Sequence, residues 1–178
     1  MAPIKVGDKL PYNIILRRLV PKEGEGTFCR GLSAGANEQI KTEDLFKGKK
    51  VVLAALPGAF TPTCSNSHVP GFIDHYDQLK AAGVDTVGIV SVNDQFTMAA
   101  WGKVLGADPE KIQMLADGSA DFTQAIGLEL DLVKGGLGIR SKRYALVADD
   151  GVVTYLGVDA ASLKESAAEA VLEFLGKK

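Results

Sequence analysis

Cysteine is scarce in this chain: Cys29 and Cys64 are the only two among 178 residues. A disulfide scaffold needs more, so the two thiols read as reactive groups rather than as staples. Histidine is equally rare, with His68 and His75 alone, and tryptophan occurs once, as Trp101. No apolar run reaches the roughly 18 residues of a membrane span, and the N-terminus lacks a charged-then-apolar signal segment. A soluble, cytoplasmic protein is the expectation, with an organellar location after removal of a transit peptide left open. There is no basic run, and the formal net charge is −2. Nucleic acid and anionic membrane are thereby excluded as main partners, and a small, neutral substrate is favoured.

The sequence does have enough apolar residues for a core. At 46% hydrophobic and 24% charged residues, residues 1–178 are expected to form one domain. Lys50-Val51-Val52-Leu53-Ala54-Ala55-Leu56 is a branched apolar run ended by Pro-Gly and predicts a buried strand. Residues 85–92 and 112–115 predict two more strands, and residues 9–20 early strand structure ahead of a loop at 21–26. Residues 42–46 predict a short helical turn. Asn93-Asp94 caps a predicted helix carrying Phe96, Ala100, Trp101, Val104 and Leu105, and residues 121–126 form a shorter one. Tyr144 to Ala148 and Val152 to Leu156 flank Asp149-Asp150-Gly151, a strong hairpin signal. Ser162-Leu163-Lys164-Glu165 has capping-box spacing and leads into a helix with Ala168, Val171, Leu172 and Leu175 inside. Alternating strands and helices define an α/β protein. Gly135-Gly136-Leu137-Gly138 lacks the Lys-Ser/Thr and helix start of a phosphate cradle, and reads as a flexible loop near a pocket.

Chemistry concentrates at residues 57–68, PGAFTPTCSNSH. After Cys64, residues Val69, Phe72, Ile73, Tyr76 and Leu79 recur at offsets of three and four, predicting one helix that ends near Gly83. Cys64 then lies at a helix start, where orphan N–H groups favour an anion, and the thiolate is the nucleophilic form of cysteine. Pro57 and Pro62 stiffen the loop, and Gly58 admits a ligand close to the backbone. The Thr61 hydroxyl is placed to hydrogen-bond the sulfur or a substrate oxygen. His68 lies four residues beyond Cys64, on the same helix face, and either tunes the thiol or holds the helix start. His75 reads as surface or packing, and Trp101 as core.

Pro57, Thr61 and Cys64 match position for position the core pattern of the peroxiredoxins. The longer string PGAFTPTCS, with His68, Pro70 and Gly71, resembles the type II and peroxiredoxin-five-like subgroup. APIKVGD at 2–8, SVND at 91–94, AWGK at 100–103 and LELDLVKGGLGIRSKRYALV at 128–147 extend the resemblance over most of the chain. It implies a thioredoxin-like fold, a central mixed β-sheet flanked by helices, and a thiol peroxidase that needs neither metal nor organic cofactor. By the same resemblance Arg143, just before Tyr144 at the start of a late strand, completes the site with Cys64, Thr61 and Pro57, with Arg140 a second candidate. A guanidinium there stabilises a thiolate and polarises an O–O bond.

The resemblance leaves the second thiol open. The plant type II position is occupied by Ile89, and no cysteine follows Cys64. Cys29, beside Arg30, is the candidate resolving thiol; external glutathione or glutaredoxin is the alternative. Thioredoxin or glutaredoxin is implied as reductant and a homodimer as the assembly. Two other uses of the same residues stand beside this one. Cys29, Cys64, His68 and His75 can be read as a zinc-binding module, although their spacing is irregular, and a redox-chaperone function can accompany the thiol chemistry. A dithiol reductase is disfavoured, because no C-x-x-C occurs.

Overall fold

The computed structural model describes residues 2–20, 36–160 and 162–177. Cys29 lies outside these described residues. In chain order the elements are β1 (Ile15–Val20), β2 (Ala36–Lys41), α1 (Thr42–Phe46), β3 (Lys50–Leu56), α2 (Val69–Asp74), α3 (Tyr76–Ala81) and β4 (Thr86–Ser91). They continue with α4 (Gln95–Val104), β5 (Ile112–Ala116), α5 (Asp121–Ala125), β6 (Glu129–Leu132), β7 (Gly138–Ser141), β8 (Arg143–Asp149), β9 (Val152–Asp159) and α6 (Ala168–Gly176). Among the described residues no helix is long and apolar enough to cross a membrane.

Seven strands form one sheet in the order β2-β1-β5-β4-β3-β8-β9. The β3/β4 and β4/β5 pairs are parallel, and the remaining neighbours are antiparallel. This is the mixed sheet flanked by helices that the sequence predicts. At its centre, β3 is buried on both faces, which explains why it reads as an unbroken apolar run rather than an alternating one. Val52, Ala54 and Leu56 join one core with Phe72, Leu79, Trp101 and Val171, while Val51, Leu53 and Ala55 join a second with Phe46, Phe122 and Tyr144. On β8 the same two-residue period sends Ala145 and Val147 to the first core and Tyr144 and Leu146 to the second. Arg143 therefore falls on the first face, which is also the face that holds Cys64.

Three local expectations need correction. The single helix predicted from Cys64 to Leu79 is instead a π-turn at Cys64–His68, then α2, then α3 after a break at His75. Pro70 has no N–H to give to the carbonyl four residues back, and the ladder widens just before it, with Val69 N–H donating to the Cys64 carbonyl. His75 Nδ1 meets the Gly71 carbonyl at 2.8 Å at the break. Second, the glycine-rich loop at 135–138 forms the turn of a hairpin: β6 and β7 make a separate two-stranded sheet. Gly136 and Gly138 supply its positive φ angles of 75° and 70°.

Third, Ser162 does not cap a helix. α6 starts only at Ala168, with no side-chain cap, because the amides of residues 164–166 are taken by the Asp159 carboxylate at the end of β9. That loop packs directly on β9, where a Cβ at Gly157 would overlap the Glu165 backbone carbonyl. Gly157→Ala is accordingly expected to destabilise the fold by about 1–3 kcal/mol. A lowered urea midpoint checks this, and an unchanged midpoint would mean the loop is not anchored to β9 as described.

Candidate active site

Two strand ends and one turn build the site. β3 delivers Pro57 and Gly58, and the chain then turns through Phe60, which carries a left-handed φ of 61° although it is not glycine. Helical geometry begins at Pro62, the first-turn position where a missing N–H costs nothing, and Cys64 follows in that first turn. Its side chain is fully buried, while Pro62 and Thr63 before it are exposed. The sulfur thus lies one layer beneath the surface at a helix start.

Arg143 reaches it from β8. Arg143 Nη2 donates to Cys64 Sγ at 3.4 Å, and Nη1 lies 3.0 Å from His68 Nδ1. Arginine has only donors, so Nδ1 of His68 must be the acceptor in that contact. The other ring nitrogen, Nε2, lies 2.9 Å from the Ser166 carbonyl, which can only accept, and so carries the proton. His68 is therefore a neutral imidazole of one defined tautomer. Burial pushes its pKa down from 6.5 to about 4, and the Arg143 charge adds to that, while the Ser166 carbonyl opposes it.

The loop before Cys64 is held by residues from two other segments. Asn93 Oδ1 accepts from Ala59 N at 3.0 Å and from Ser91 Oγ at 2.8 Å. Arg140 donates through Nε to the Leu137 carbonyl, 2.7 Å, and through Nη1 to the carbonyls of Val92, 3.1 Å, and Pro57, 3.4 Å. Arg140 thus braces the loop around Gly58, whose missing Cβ would sit 3.1 Å from Arg140 Nη1. Of the two arginines, Arg143 is the one on the sulfur. The Thr61 hydroxyl donates to the Gly58 carbonyl at 2.8 Å and not to the sulfur, leaving its lone pairs to accept from a ligand. Trp101 is buried in the core, as its spacing predicts, and its Nε1 donates to Ser65 Oγ at 3.1 Å.

The sequence reading missed Asn93 as a brace and Ser166 as the partner of His68. SVND at 91–94 reads as a strand end and a helix cap, and a backbone carbonyl such as that of Ser166 leaves no trace in residue type. Asp94 does cap α4, accepting from Phe96 N and Thr97 N. Among the described residues no group of three or more His, Cys, Asp or Glu is arranged to hold a metal ion. His68 in particular has both nitrogens committed, one of them to a cation, which is unsuited to the zinc-binding alternative.

The Redoxin family matches residues 5–172 of this chain. The chain is 47% identical over 176 residues to Peroxiredoxin-2C of Oryza sativa subsp. japonica, an alignment covering 98% of this chain and 100% of the relative. With Peroxiredoxin AHP1 of Chaetomium thermophilum it shares 41% identity over 180 residues, covering 100% and 98% of the two chains. The structure of reduced Prx3 from Vibrio vulnificus in complex with H2O2 matches with a TM-score of 0.83 at 49% identity, covering 97% of this chain and 99% of that one. Peroxiredoxin 5 from Alvinella pompejana matches at 0.78 and 36% identity, covering 99% and 100%.

The neutral state of His68 has a measurable cost in acid. Well above pH 6.5 the imidazole is neutral whether folded or not; as pH falls through 6.5 toward 4, the unfolded chain takes up a proton that the native site excludes. Stability is lost across that window, by at most about 3 kcal/mol from this residue. Urea midpoints of wild type and His68→Asn, compared above pH 6.5 and near pH 4, should show wild type losing more on acidification. An equal loss in both proteins would mean that the native site does not exclude the proton.

Proposed function

Because the chain belongs to the redoxin family and is a peroxiredoxin, a thiol-dependent peroxidase of thioredoxin-like fold, we propose that Cys64 is its peroxidatic residue and that Arg143, Thr61 and Pro57 complete the reacting site. The observation that carries this reading is the 3.4 Å contact from the Arg143 guanidinium to the buried Cys64 sulfur at a helix start. A permanent positive charge and the first-turn N–H groups both favour negative charge on that sulfur.

The thiolate attacks the terminal oxygen of a hydroperoxide. A sulfur–oxygen bond forms as the O–O bond breaks; the sulfur is oxidised by two electrons to sulfenic acid, and the departing oxygen takes up a proton to leave as water or an alcohol. Thr61 Oγ1, with its proton already given to Gly58, accepts from the O–H of the incoming peroxide and fixes its direction of approach. Arg143 stabilises charge as it moves from sulfur to the leaving oxygen, without reorganising, because His68 already holds its other nitrogen. Pro57 and Gly58 set the wall of the pocket, and Arg140 and Asn93 keep that wall in place.

A second thiol then condenses with the sulfenic acid, releasing water and forming a disulfide. We assign this step to Cys29, the only other cysteine in the sequence, acting within a homodimer and recycled by thioredoxin or glutaredoxin. A buried sulfur cannot meet a protein thiol in place, so the turn at Cys64–His68 must open for this half of the cycle.

Two measurements test the assignment. Cys64→Ser should abolish peroxide turnover with Cys29 intact, and Arg143→Ala should lower the second-order rate constant for peroxide about 10²- to 10³-fold; turnover surviving without Cys64 would overturn the site. Non-reducing intact mass after one equivalent of hydroperoxide should show a Cys29–Cys64 disulfide. A Cys64 glutathione adduct formed without that disulfide would pass the resolving step to an external thiol.

A further inference from the structure

Asp159 closes β9, and among the described residues its carboxylate accepts from residues 164–166. Oδ2 accepts from Ser166 Oγ at 2.7 Å and from the amides of Lys164 and Ser166 at 3.0 Å each; Oδ1 accepts from the Glu165 amide at 3.0 Å. Three consecutive N–H groups converging on one carboxylate curl the loop tightly. This curl turns the Ser166 carbonyl inward, into a fully buried position 2.9 Å from His68 Nε2. Among the described residues that nitrogen has no other partner, and His68 is only 1% exposed, so bulk solvent does not reach it.

We propose that Asp159 is a positioning residue for peroxide reduction, acting on Cys64 through Ser166, His68 and Arg143 in turn. The proposal rests on the reading that Arg143 stabilises the reacting sulfur. Tautomer is the transmitted quantity. With the Ser166 carbonyl in place, the imidazole proton stays on Nε2 and Nδ1 is free to accept from Arg143 Nη1. Without it, the proton is free to move to Nδ1, where it would face an arginine donor; two donors repel, and the guanidinium leaves the sulfur. Burial by itself raises the Asp159 pKa, but the loop hydrogen bonds outweigh it and hold the group below the ordinary carboxylate range, so the anchor is charged at neutral pH.

The test is a double-mutant cycle read by stopped-flow peroxide oxidation, with Asp159→Ala, Arg143→Ala and the double variant, beside ¹⁵N NMR of the imidazoles, of which the chain has only two. Asp159→Ala is expected to slow peroxide oxidation between about 2- and 30-fold. The double variant should be no slower than Arg143→Ala, because both changes break one chain of contacts. The His68 signals should lose the pattern of a proton fixed on Nε2, and Asp159→Asn should fall between Asp159→Ala and wild type in rate, since its amide oxygen can keep bonds made by Oδ2 while its NH2 would face the Glu165 N–H that Oδ1 accepts from. Should Asp159→Ala not fold, Asp159→Ser carries the same expectations. Losses that multiply in the double variant, an unchanged His68 tautomer, or a wild-type rate in Asp159→Ala would each overturn the proposal while leaving Arg143 in its role. A wild-type rate in Arg143→Ala would overturn the site reading itself, and the role of Asp159 with it.

Discussion

A guanidinium carries its N–H donors in one rigid plane, and the site depends on how that plane is shared. Arg143 turns one terminal nitrogen to Cys64 Sγ and the other to His68 Nδ1. Sulfur alone is a soft, single acceptor that would let the side chain swing; the imidazole, a fixed and directional acceptor, removes that freedom. Holding a cation in a partly buried site is costly unless its donors are met, and the neutral tautomer of His68 meets one of them without adding a second charge. Everything else around the turn serves this geometry. The period of β8 brings Arg143 to the correct face, the β3 end supplies the opposing wall, and the loop before α6 fixes the histidine.

On the proposed assignment, the same arrangement reconciles a peroxidatic role for Cys64 with its burial. Small oxidants need to reach only the sulfur, which lies beneath the exposed Pro62 and Thr63. Larger partners need the turn itself to move. Under the proposed cycle, access for larger partners is therefore set by opening of the turn at Cys64–His68. Val69 and Phe72 are packed in the core behind the turn and hold α2 in place.

Much of this was legible in residue order where causes are local. The span of β3 follows from an apolar run bounded by Lys50 and Pro57, and Asp94 announces α4 by the bonds that its side chain makes two and three residues on. Cys64, Thr61 and Pro57 form one contiguous string, so the resemblance they carry is easily seen. Arg143 required that resemblance, because a single arginine ahead of a strand has no local signature. What remained hidden was set by distant partners. Ser162 and Glu165 have the spacing of a capping box, but Asp159 binds the amides of Lys164, Glu165 and Ser166, and α6 begins only at Ala168. The widening of the turn after Cys64 follows from Pro70, whose effect on the register of the preceding turn has no counterpart in apolar spacing. Asn93 and Ser166 act across 34 and 98 residues of sequence, through contacts that only the folded chain creates.

The widened turn also fixes the length of the chain at this point. Between Cys64 and Val69 the hydrogen bond spans five residues instead of four. Removing any one of Ser65, Asn66 or Ser67 would restore ordinary helical spacing, but it would swing Cys64 by about 100° around the helix axis relative to Val69 and Phe72, away from Arg143. Adding a residue would rotate it the other way. Asn66 and Ser67 are exposed and their side chains are free to vary. Their number is not, so this stretch tolerates change of letter far better than change of length.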